Sequence, residues 1–241
     1  MTTLTKIIVS IILSLLLFSC EFGSGWMGVS GNGNVVTETR QTNDSFNEIQ
    51  VSRGLDVYLT QSNTESVTVE ADSNLQDIIT VIVDNGVLKI KAEENISSSS
   101  AKKVHVNYKS ISKLKASSGS DVYTTNTLTN EILELDLSSG SDAELDINAQ
   151  TLVCSATSGS DIELTGKVMS FNADASSGSD IDAGDLLAEK SRVKASSGAS
   201  ISVNTSKELI AKANSGGDVT YYGNPERVEK SEGVSGGISQ Q

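Results

Sequence analysis

Several things are scarce in this chain of 241 residues. There is one proline and one histidine, and aromatic residues make up 4%. A single His105 leaves no set for a His-based triad or a multi-histidine metal site. Two cysteines are too few for a disulfide scaffold. Basic residues are also short, with 18 Lys and Arg against 31 Asp and Glu, a formal net charge of −13. Such a surface repels phosphate, which excludes nucleic acid as a partner. So polar a chain suggests disorder, but 37% of it is apolar, and a periodic apolar set argues for a packed core.

Lys6 precedes a short apolar run, Ile7 to Phe18, that ends Leu17-Phe18-Ser19-Cys20. The run is too short to span a bilayer and fits a signal-peptide core. A small residue before a cysteine resembles the bacterial lipobox, although Phe18 departs from its usual small or β-branched residue. The resemblance implies cleavage before Cys20 and lipidation of its thiol, hence a membrane partner through that anchor. Residues 1–19 are read as a lipoprotein signal peptide, and 20–43 as the lipidated cysteine and a flexible tether. Gly28, Gly31 and Gly33 lack the strand and helix of a dinucleotide fingerprint, which rejects that reading.

The dominant feature is a repeat. Ala116-Ser-Ser-Gly-Ser-Asp-Val122 returns as Leu137-Ser-Ser-Gly-Ser-Asp-Ala143, Ala156-Thr-Ser-Gly-Ser-Asp-Ile162 and Ala175-Ser-Ser-Gly-Ser-Asp-Ile181. Looser copies surround Gly198 and Gly216. An outlying copy at Gly54 lies 65 residues before Gly119, about three periods away. From Gly119 through Gly140, Gly159, Gly178 and Gly198 to Gly216 the spacings are 21, 19, 19, 20 and 18. Apolar residues stand five and three before each glycine, and three and five after it, with Thr124 the exception five after Gly119. This is the alternation of a half-buried strand on both sides of a glycine corner. About twenty residues is too few for a βαβ unit and fits one coil of a parallel β-helix, right-handed by the rule for parallel crossovers. Cys154 takes an inward position and Tyr221 is placed to plug the last coil. Residues 111–238 are read as regular coils and 44–110 as a less regular N-terminal β section of the same domain. In that section 80–92 reads as a hairpin, 74–79 as a helical turn capped by Asn74, and 97–100 as a loop.

The ordered set of motifs resembles the family described as putative auto-transporter adhesin, head GIN domain. It comprises the lipobox, Phe46-Asn-Glu-Ile-Gln-Val, Gly54-Leu-Asp-Val-Tyr-Leu, Asp84-Asn-Gly-Val-Leu-Lys-Ile, the Ser-Gly-Ser-Asp copies and Tyr222-Gly-Asn-Pro225. The resemblance covers about residues 44–238. It implies a β-helical envelope protein, with an outer-membrane lipoprotein as the expected location, and it supplies no catalytic residue.

Two outward columns carry the candidate chemistry. Two after each glycine stand Asp56, Asp121, Asp142, Asp161, Asp180 and Asp218, with Ser200 breaking the series. Four after stand Tyr58, Tyr123, Glu144, Glu163, Asp182, Ser202 and Thr220. Carboxylates about 5 Å apart repel by roughly 0.8 kcal/mol even in water. The first expectation is that each Asp accepts corner N–H bonds, with the serine hydroxyls helping. The alternative is Ca²⁺ held between coils by Asp142, Asp161, Asp180, Glu144 and Glu163; otherwise no cofactor is expected. Tyr58 and Tyr123 are the candidate binding platform for a glycan or protein ligand. A polysaccharide-cleaving β-helix enzyme would need a unique carboxyl pair, for which Asp161 and Asp180 are the nearest candidates. The regular ladder offers no such pair, and His105 reads as an exposed strand residue. The expected function is non-enzymatic display of a rigid polar surface for adhesion, with a self-associating envelope scaffold as the alternative.

Overall fold

The computed structural model describes residues 28–241 apart from Asn43. The lipobox and Cys20 lie outside the described residues. The chain forms a parallel β-solenoid. Its long strands, Asp142–Thr157, Asp161–Ser176, Asp180–Ser196 and Ser200–Asn214, each run from one Ser-Gly corner to the next. Every second side chain is buried, but the phase slips within each coil. Ala149 is followed inward by Leu152, and Val168 by Phe171. That three-residue step marks a second bend, so one continuous strand serves two walls of the coil.

Coil stacks on coil in register. Ala156 pairs with Ala175, and Ala175 with Ala195. Ala143 pairs with Ile162, and Ile162 with Ile181. These side chains are almost wholly buried. Each Ile, Leu or Val so placed contributes about 1.5–3 kcal/mol, while the alanines keep the wall beside the corner thin. Phe171 stacks beside Ser191, a small residue that leaves room for the ring and whose hydroxyl receives a hydrogen bond from Thr205 at 2.6 Å. Cys154 is a buried free thiol, and burial pushes its pKa up. The unequal glycine spacings are absorbed away from the corners. Gly184 is the extra residue of the 20-residue coil, inserted between the pairs Glu163–Asp182 and Thr165–Asp185.

At each corner two successive residues have positive φ. Ser118, Ser139, Ser158 and Ser177 lie at 58–59°, and the glycines after them at 65–70°. The sequence points only to the glycine; the serine before it shares the left-handed conformation. The serine after it turns inward. Ser160 Oγ donates to Leu137 O of the preceding coil at 3.1 Å and accepts from Thr157 N at 3.0 Å. Ser141 and Ser179 do the same with Ala116 O and Ser138 N, and with Ala156 O and Ser176 N. The corner is therefore closed chiefly by buried serine hydroxyls, which the sequence suggested only as helpers of the aspartates.

The copy at Gly54 is the direct neighbour of the copy at Gly119, not three coils distant. Val57 pairs with Val122, and Asp121 N donates to Leu55 O. The intervening segment travels to the far side and caps the solenoid. Val87–Ala92 and Lys102–Tyr108 add one more coil, parallel to Glu48–Ser52 and Asp56–Gln61. Ser66–Asp72 and Val35–Arg40 continue that wall as antiparallel strands. Ile79–Asp84 folds back on Val87–Ala92 through a turn in which Asn85 and Gly86 both have positive φ, the requirement of a type I′ hairpin.

Three expectations for this region are corrected. The segment 97–100 is not simply a loop, since Ile96–Ser98 pairs with Val29–Ser30. Asn74 does not cap a helical turn. The short 3₁₀ turn is Ser73–Leu75, and the Asn74 amide instead holds Asn32 N and Ser30 O. Residues 28–42 are not a free tether. Val29 packs on the core and Val35–Arg40 is paired along its length. Gly28 and Gly31 allow this docking, because a Cβ on either would meet Asn95 O at 2.2 Å or Asp72 Oδ2 at 1.9 Å.

At the other end Tyr221 is buried, donates to Gln240 Oε1 at 3.1 Å and lies under Lys230 Nζ, 4.6 Å from the ring centre. In Arg227–Glu232, Lys230 and Glu232 pair with Ala211 and Ala213, so charges replace the apolar inward residues of the last strand. Inward charges on an edge discourage further strand addition.

Candidate functional site

The wall that follows the Ser-Gly corner carries the two expected columns. Pairing places Asp56, Asp121, Asp142, Asp161 and Asp180 in one row, each beside the next. The parallel row runs Tyr58, Tyr123, Glu144, Glu163, Asp182. The strand pitch sets neighbours about 4.8 Å apart. Both rows line a groove of about 290 Å³ bounded by Tyr123, Asp142, Glu144, Asp161, Glu163, Asp180 and Asp182. The candidate cation ligands and Tyr123 thus share one site, while Tyr58 lies behind Tyr123.

The aromatic end is longer than the sequence reading allowed. His105 pairs with Tyr58, and the rings of His105, Tyr58 and Tyr123 stack with centroids 5.2 Å apart. His105 is also 3.4 Å from Glu70. The signal was present in Lys103-Val-His-Val, which matches Asp56-Val-Tyr-Leu position by position. Stacking hides the ring faces except at the ends of the pile.

The carboxylates are under electrostatic stress. Burial, then Asp56 and Asp142, raise the pKa of Asp121. Burial and Asp161 raise that of Asp142, and burial, Asp161 and Asp182 raise that of Asp180. Lys102 meets Asp56 at 3.2 Å, but among the described residues no Lys or Arg pairs with Asp121, Asp142, Asp161, Asp180, Glu144, Glu163 or Asp182. The wall before the corner behaves differently. There opposite signs meet between some coils, as in Lys115–Asp136 at 3.7 Å and Asp174–Lys194 at 3.3 Å, although Lys194 stands beside Lys212. The fold can compensate its ladders, and on the acidic wall it does not. Among the described residues no three His, Cys, Asp or Glu side chains converge on a metal position. Side chains in one row stand parallel, one coil apart.

A larger opening of about 570 Å³ lies between Arg53, Lys102 and residues 95–99. Its cations are already engaged: Arg53 donates to Ala92 O at 3.0 Å, and Lys102 to Gly54 O as well as to Asp56.

Residues 45–225 match the family model described as putative auto-transporter adhesin, head GIN domain. The chain belongs to this family. Its fold is that of a putative adhesin from Bacteroides fragilis NCTC 9343, at TM-score 0.82 and 19% identity, covering 89% of this chain and 100% of that one. A putative lipid binding protein from Parabacteroides distasonis ATCC 8503 aligns at TM-score 0.71 and 24% identity, over 88% and 99% of the two chains. A putative adhesin from Parabacteroides merdae ATCC 43184 aligns at TM-score 0.70 and 20% identity, over 88% and 98%. A comparison with curated proteins returns no match.

Proposed function

We propose that this family member is a non-enzymatic, lipid-anchored envelope adhesin whose recognition surface is the acidic wall. Family membership and the adhesin names of its structural relatives support the class. The Lys6-to-Cys20 segment supports an anchor on an outer membrane. The observation that carries the reading is the double row of carboxylates, uncompensated and ending at the Tyr123 ring. Among the described residues no Lys or Arg offsets the repulsion along Asp121, Asp142, Asp161 and Asp180, and a cationic partner would. Protein or glycan partners that carry cations or sugar rings fit this chemistry. Cells displaying the triple variant Asp142→Asn, Asp161→Asn, Asp180→Asn should lose adhesion while the protein stays at the surface. Undiminished adhesion would remove the acidic wall from the reading. Cys20→Ser should release the protein from the membrane fraction.

Calcium is the second reading, favoured by the closeness of Asp142, Asp161 and Asp180 with Glu144 and Glu163. Rotamer changes would have to bring them together. A calcium titration showing neither heat nor a rise in Tm would end it.

A further inference from the structure

The solenoid carries a second groove, of opposite charge. On the wall before the corner, Val153, Asn172, Asp174, Arg192, Lys194 and Lys212 outline a hollow of about 260 Å³. Asp174 engages Lys194, and among the described residues Arg192 and Lys212 have no acidic partner. A chain with net charge −13 thus collects three exposed cations around one groove.

We propose that the acidic groove of one molecule receives the basic groove of a second copy, joining solenoids side by side in rows with their axes parallel. The proposal rests on the acidic wall being the recognition surface, and it names the occupant.

Charge complementarity is the first argument. Pitch is the second. Both walls are ruled at the same strand spacing, about 4.8 Å, so parallel docking sets carboxylate rows against cations coil by coil. Height is the third. The acidic groove spans the coils turning at Gly140, Gly159 and Gly178, and the basic groove those turning at Gly159 to Gly216. Their centres differ by about one and a half coils, roughly 7 Å. Docked copies therefore keep their N-termini on the same side, as a shared membrane anchor demands.

The two patches differ, so the contact is heterologous and propagates from copy to copy instead of closing as a symmetric pair. A strip four coils tall and about five residues wide covers on the order of 300 Å² per partner, below the roughly 800 Å² of a stable complex. The pair is therefore weak in solution and favoured by confinement to a membrane. Repulsion between the net charges is largely screened beyond about 8 Å at physiological salt, while the contacting charges attract inside that distance.

Sedimentation velocity of the purified protein tests this with two charge-reversed variants, Asp161→Lys with Asp180→Lys, and Arg192→Glu with Lys212→Glu. The native protein should form dimers and larger species as concentration rises, and revert to monomer at about 1 M salt, where screening falls to about 3 Å. Each variant alone should remain monomeric, with unchanged circular dichroism and cooperative melting. Mixed, they should associate again, since each supplies one intact groove and the two reversed grooves are themselves opposite in sign. A native protein that stays monomeric to millimolar concentration overturns the proposal. So does a variant that associates as the native protein does, or a mixture that stays monomeric. If the native protein is monomeric but the Asp→Asn triple variant still loses adhesion, the row fails and the recognition surface stands.

Discussion

The hydroxyl of Ser160 reaches across to the carbonyl of Leu137, 3.1 Å away in the preceding coil, while Ser158, two residues earlier, faces solvent with φ of 59°. Two serines of one corner therefore answer to different physics. Ser160→Ala leaves Leu137 O and Thr157 N without this partner in a buried position and should cost about 1–3 kcal/mol. Ser158→Gly relieves about 1 kcal/mol or more of left-handed strain, offset by the larger unfolded-state entropy of glycine. Urea denaturation should show a clear loss for the first and none for the second. Equal losses would contradict the corner geometry.

Stability should pass through a maximum in mildly acidic solution. Asp121, Asp142 and Asp180 have folded pKa values raised above 3.8, chiefly by burial. In the window just above 3.8 the folded chain holds more protons than the unfolded one, so stability increases as pH falls through it. Asp72 has the opposite sign. It is buried and accepts from Gly33 N at 3.0 Å and from Ala101 N and Ser100 N at 3.2 Å, bonds that hold its pKa below 3.8, with Gly33 contributing most. Its contribution is complete above 3.8 and is lost as pH drops toward its lower folded value. Tm followed from pH 7 downward should rise, then fall. The Asp142→Asn, Asp161→Asn, Asp180→Asn variant should lose most of the rise and keep the fall.

Asp72→Ala should free the N-terminal segment before it affects the coils. Hydrogen exchange should speed up at Gly33, Ser100 and Ala101 and along Val35–Arg40, with little change in Asp161–Ser176. Uniform acceleration would mean that the cap and the coils unfold as one unit.

Lys230→Val with Glu232→Val restores the apolar inward pattern of Ala211 and Ala213 to the terminal strand. Light scattering should then report concentration-dependent aggregation, which the native charges suppress. A variant as soluble as the native chain would show that these charges are not the terminal guard.

The coils were legible because alternation, glycine and acid all repeat at one period, so each copy checks the others. The acidic rows followed at once, since register in a solenoid is register in the alignment. The cap was not legible. Gly54 sits about three periods before Gly119, a distance equally suited to three degenerate coils, and only pairing of Val57 with Val122 shows that the chain leaves and returns. The docked segment 28–42 was hidden for a related reason: its glycines resemble those of a linker, while here they permit close approach to Asn95 and Asp72. Nor can composition separate Ser158 from Ser160, because a serine at a corner serves as readily outside as inside.

The coil Glu48–Gln61 is made first and ends up with neighbours on both sides, Val87–Tyr108 on one and Lys113–Thr124 on the other. While the chain is being delivered N-terminus first, this coil is a seed with two growth fronts. The capping segment arrives next and closes one of them. Every later coil then has a single surface to add to, so assembly becomes a one-way ratchet in which synthesis order and stacking order coincide. Self-similar coils, free to pair out of turn if presented together, are sorted by time of arrival.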